Sequence, residues 1–149
     1  YASQYRLMSF STTTGKKASL GNLPSDMERI GDQALDIAEI AEYVTDDIKS
    51  KINIKEMAET TVKMVMNSVD SYVRKDIDIA NSVIGLDDTV DALFDKAKSE
   101  LINVIRTENE NAEGLLDLLM VAKYFERIGD HAENIAEWVI FAVTGNHKA

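Results

Sequence analysis

Apolar residues recur at helical spacing along most of this chain. Met57, Thr61, Val62, Val65, Val69, Tyr72, Val73 and Ala80 keep to one side of a 3.6-residue period, which predicts a core-facing helix from about Lys55 to Ser82. Gly85 marks a break after it. Leu86, Val90, Leu93, Phe94, Ala97, Leu101 and Val104 then predict the buried face of a helix running from about Asp88 to Thr107. Ile30, Ala34, Ile37 and Ala41 do the same for a helix from Ser25 to about Lys49. There Ser25 and Glu28 have the spacing of a capping box. A last helix extends from about Ala112 to Val143 and closes at Gly145. Ile52–Asn53 and Glu108–Asn111 are short connections, so consecutive helices should lie antiparallel in an all-α bundle. Residues 1–24 contain TTTGKKASLGNLP with no helical period and read as an irregular segment, with a short helical remnant over residues 1–9.

The polar positions carry a second pattern, and it occurs twice. Residues 28–39 read ERIGDQALDIAE and residues 126–137 read ERIGDHAENIAE, with nine of twelve positions identical. Glu28, Asp32, Asp36 and Glu39 fall at i, i+4, i+8 and i+11, opposite the apolar side of their helix. The second copy places Glu126, Asp130 and Glu137 on the same stripe, adds Glu133, and has Asn134 in place of the third acid. A third row, Asp87, Asp91 and Asp95, stands at i, i+4 and i+8 on another helix. Each row has an ordinary explanation too. Glu28 belongs to the capping box, Asp26 and Asp32 are within reach of Arg29, and Asp87 or Asp88 can cap the third helix. Gly31 and Gly129 sit inside helices at a propensity cost of about 1 kcal/mol each, which implies close approach of a neighbouring helix.

Charge narrows the chemistry. The formal net charge of −10 disfavours nucleic acid and anionic membrane surfaces, and favours cations or basic partner surfaces. The absence of Cys excludes a thiolate metal site and fits a cytoplasmic setting. The longest apolar stretches, Leu115–Ala122 and Trp138–Val143, fall far short of the ~20 residues of a bilayer span. Carboxylates one helical turn apart suit hard cations that take several oxygens and tolerate water in the remaining positions. A di-iron oxidoreductase or iron-storage bundle is the rival reading, and it lacks the Glu-x-x-His pairs that such bundles use. His131, beside Asp130, is a candidate ligand or a support for one, although a lone surface His is usually neither.

At ERIGD the chain resembles a known family. Asp26-Met27-Glu28-Arg29-Ile30-Gly31-Asp32-Gln33-Ala34 and Phe125-Glu126-Arg127-Ile128-Gly129-Asp130-His131-Ala132 resemble the two signature helices of PhoU, the phosphate-uptake regulators. Asp87-Asp88-Thr89-Val90-Asp91-Ala92-Leu93-Phe94 is similar to the family's second recurring motif, and the likeness covers about residues 25–143.

The resemblance implies two three-helix repeats, of which residues 54–145 would be a complete second one and residues 25–50 the last helix of the first. It implies metal sites on E(D)-x-x-x-D rows, here Glu126, Asp130, Asp87 and Asp91, with Glu28 and Asp32 left from the first repeat. Iron, manganese, magnesium and partly hydrated zinc all suit such oxygens. It further implies a non-enzymatic, cytoplasmic homo-oligomer that damps phosphate-starvation signalling. Its partners would be the ATPase of the phosphate ABC transporter and a membrane sensor kinase. Two helices that precede the first ERIGD helix in the family have no counterpart in residues 1–24, so the Ile30/Ile37/Val44 side should be under-covered and buried by another copy.

Overall fold

The computed structural model describes residues 23–108 and 111–145. Among these every regular element is helical: α1 (Leu23–Ala41), α2 (Asp46–Lys51), α3 (Lys55–Arg74), α4 (Ile77–Thr107) and α5 (Ala112–Thr144). The reading of residues 1–22 lies outside the described residues.

Three boundaries differ from the sequence reading, each for a local reason. α1 already begins at Leu23, with Pro24 in its first turn, where a missing N–H leaves no helical bond unmade. Ser25 is therefore inside the helix, and the capping-box explanation of Glu28 lapses. The helix stops at Ala41 rather than near Lys49, because Thr45-Asp46-Asp47 makes a better start than a continuation. The Thr45 hydroxyl accepts from Ile48 N at 3.4 Å, and both acids fall in the first turn of α2. The expected helix from Lys55 to Ser82 divides at Lys75, which takes the left-handed conformation (φ 54°) while Asp76 N–H donates to Ser71 O at 3.0 Å. Asp76 Oδ1 then accepts from Ile79 N at 3.1 Å and opens α4. Gly85, expected to be the break, lies inside α4. At the far end Gly145 (φ 75°) closes α5 as the sequence suggested.

The shift of the α4 start bears on the chemistry. Asp87 and Asp88 sit about three turns into the helix, so neither is its cap.

α3, α4 and α5 each pack against the other two, and α1 and α2 lie on α5. α5 is thus the central element, with Leu115, Leu118, Phe125, Ile128, Ala132 and Ile135 buried along its length. Lys51 of α2 ion-pairs with Glu108 at the end of α4. Within the expected stripe of α3, Val73 is 73% exposed, because it stands one position beyond Tyr72 and is rotated off the buried side. The Ile30/Ile37/Val44 side is not under-covered. All three residues are buried within the chain itself, so they are not the surface through which a second copy would be recruited. No helix among the described residues is long and apolar enough to cross a membrane.

Candidate metal centre

Asp87 and Asp91 are one turn apart on α4, and Asp130 stands opposite them on α5. Carboxylate oxygens of the three lie within 4.8 Å of one another. Asp91 and Asp130 open to solvent, while Asp87 is only 7% exposed. Asp87 Oδ1 is buried and without a hydrogen-bond partner. A buried carboxylate oxygen with no partner of its own is costly, and either a proton held by a neighbouring carboxyl or a bound cation would relieve it.

Asp87 of α4 and Met64 of α3 flank Gly129 of α5. A Cβ built there would stand 3.6 Å from Asp87 Oδ1 and 3.5 Å from Met64 Sδ. Both atoms stand at ordinary van der Waals distance, so the packing of α3 and α4 on α5 does not require glycine at this position, contrary to the close approach that the sequence implied.

Crowding alters the acids. Burial, with the charges of Asp87, Asp130 and Glu126 adding to it, pushes Asp91 up to about 6. Burial first and neighbouring carboxylates second raise Asp130. Burial also raises Asp87, partly offset by its hydrogen-bonding contact with Glu133. Glu133 is itself driven up to about 8 by burial and by its contacts with Asp87 and Glu137. Four acids at one seam therefore resist ionising together, which a bound cation would relieve.

Not every residue marked in the sequence joins this group. Glu126 stays outside the trio, its Oε1 2.6 Å from Lys123 Nζ. Glu28 and Asp32 are exposed on α1, and among the described residues neither belongs to a cluster of three ligand-bearing groups. Asp95 is exposed on α4 beyond the trio. His131 pairs with Asp26 of α1. Two participants were not assigned to the site from sequence. Glu133 was legible as a member of the acidic stripe, three residues beyond Asp130, but its contact with buried Asp87 was not. Nothing in the pattern singled out Lys123.

The residues present fit a hard divalent cation. All donors are oxygens, two face solvent where water can complete the shell, and the third offers the orphaned Asp87 Oδ1.

Comparison with known proteins places these features in context. Residues 54–139 match the model of the PhoU domain. The chain is 35% identical over 123 residues to a Clostridium acetobutylicum protein named phosphate-specific transport system accessory protein PhoU homolog, covering 81% of this chain and 56% of that one. It superposes on the crystal structure of PhoU from Pseudomonas aeruginosa with a TM-score of 0.78 at 33% identity, over 84% of this chain and 61% of that one. The phosphate transport system regulatory protein PhoU from Streptococcus pneumoniae shares the fold, with a TM-score of 0.75 at 17% identity over 99% of this chain and 77% of that one. The chain spans about half the length of the named relatives that it matches.

Proposed function

The chain belongs to the PhoU family, and on that premise we propose that it regulates phosphate transport and phosphate-starvation signalling through protein contacts rather than catalysis. Its partners in this reading are the ATPase of a phosphate ABC transporter and a membrane sensor kinase, met on the cytoplasmic side. The relatives' naming as transport-system accessory proteins supports the first partner. The acidic net charge of −10 supports a basic docking surface on either. A homo-oligomer is part of the same reading, with a contact surface other than the buried Ile30, Ile37 and Val44. The unit of recognition would be the second repeat, α3 to α5, with α1 as the remaining helix of the first.

The α4–α5 seam would carry a metal ion, and the orphaned oxygen of Asp87 is the observation that carries this part. Asp87, Asp91 and Asp130 would hold a cation such as iron, manganese, magnesium or partly hydrated zinc. The cation supplies positive charge, and no bond-making chemistry is asked of it. With that charge in place, the three acids can ionise together and clamp α4 to α5. Glu28 and Asp32 would contribute only alongside carboxylates from elsewhere, since α1 alone presents them as an exposed row.

Affinity capture tests the contact. Immobilised protein is expected to retain the transporter ATPase at low salt and to release it as salt approaches ~0.5 M. Failure to retain it at any ionic strength would contradict the reading.

A further inference from the structure

Lys123 lies one turn before Arg127 on α5 and has two anchors. Its Nζ is 2.6 Å from Glu126 Oε1 and 5.3 Å from the centroid of the Phe94 ring. Phe94 is on α4, three residues after Asp91, so the ammonium spans the two helices that bear the carboxylate trio. A freely solvated surface pair has no such second anchor. Glu126 is mostly covered, with its side chain 16% exposed, and its charge bears on Asp87, Asp91 and Asp130 alike. It is therefore near enough to act on all three acids, yet its Oε1 is committed to Lys123. The Lys123 charge also works in favour of ionised Asp130.

We propose that Lys123 is the resident counter-cation of this site, holding Glu126 outside the Asp87–Asp91–Asp130 group until a divalent cation displaces it. The proposal rests on the metal reading given above. An ammonium supplies one charge and accepts no oxygens as ligands, whereas a divalent cation brings two charges and takes further oxygens. Glu126 becomes a fourth carboxylate only when Lys123 lets go, so the cation must break the pair and then bear the repulsion of the nearby ammonium. Lys123 thereby sets the affinity of the site and restricts occupancy to conditions of ample metal.

Calorimetric titration of the chelator-treated protein with Mn2+ at neutral pH tests this. Lys123→Met keeps an unbranched stem against Phe94 and removes the charge, and is expected to bind Mn2+ about tenfold more tightly than wild type. Lys123→Gln, a second way of removing the charge, should do the same. Adding Glu126→Gln to Lys123→Met should cost most of that gain, while Glu126→Gln alone should change affinity by less than ~3-fold, because it removes both a ligand and the pair that withholds it. Equal or weaker binding by both Lys123 variants overturns the lock. So does a Lys123→Met/Glu126→Gln protein as tight as Lys123→Met, since Lys123 would then act by bulk charge. If neither wild type nor Lys123→Met binds Mn2+, the metal site itself is refuted and the lock falls with it.

Discussion

His131 Nδ1 stands 3.0 Å from Asp26 Oδ1, joining α5 to α1 across 105 positions of sequence. Both side chains are largely covered, at 20% and 16% exposure, so the contact is shielded from competing water. It fastens the helix bearing Glu28 and Asp32 to the position next to Asp130. A double-mutant cycle with Asp26→Ala and His131→Ala should give a coupling energy of ~0.5–1.5 kcal/mol by chemical denaturation. Amide exchange in α1 should quicken in either single variant. Strictly additive variants with unchanged exchange would show that α1 is held by its apolar face alone.

The break at Lys75 is a second point of test. Lys75 holds φ 54°, a conformation that side-chain-bearing residues adopt at a cost of ~1–2 kcal/mol. Lys75→Gly should therefore stabilise the protein by about 1 kcal/mol, offset in part by the greater freedom of glycine in the unfolded chain. Asp76→Ala removes the acceptor for Ile79 N and should destabilise by ~1 kcal/mol. Opposite signs in urea melts would mean that α3 and α4 are not divided there.

Proton uptake makes a third expectation. Asp91 is raised to about 6 and Glu133 to about 8, with Asp87 and Asp130 raised as well. In the unfolded chain such groups lose their protons near pH 4. Between those values the folded protein holds more protons than the unfolded one, so the stability these groups contribute is full at low pH and is lost as pH rises from about 4 to about 8. Chelator-treated protein should melt several degrees lower at about pH 8 than at about pH 5.5, and Asp91→Asn with Glu133→Gln should flatten the difference. A melting temperature that climbs over this window would contradict the described burial of the acids.

The apolar periods carried the architecture, because an amphipathic helix announces itself wherever it meets a core. Ile30, Ile37, Val90, Leu101 and Val65 are buried as the pattern required. Boundaries were harder. Periodicity runs straight through Lys75 because the residues on both sides remain helical, and a lysine in a left-handed turn leaves no compositional mark. Gly85 looked like the break only because glycine usually punctuates helices. The E-x-x-x-D spacing pointed to Asp87, Asp91 and Asp130, whose convergence depends on how α4 and α5 pack against each other. It also pointed to Glu126, whose commitment to Lys123 is a matter of side-chain geometry that spacing along one helix does not reveal. The expectation of an uncovered α1 failed because, among the described residues, α1 packs along α5 with Ile30 and Ile37 buried.

Metal analysis of Asp91→Asn/Asp130→Asn beside the wild-type protein bears most directly on the central claim. Asparagine keeps the side-chain volume and removes the charge, so the fold should survive and even gain from the lost repulsion. Protein purified without chelators should carry a divalent cation in wild type, melt several degrees lower after EDTA treatment, and lose both the metal and the EDTA effect in the double variant. Metal retained by the double variant at wild-type stoichiometry would contradict the assignment of Asp87, Asp91 and Asp130 as the site.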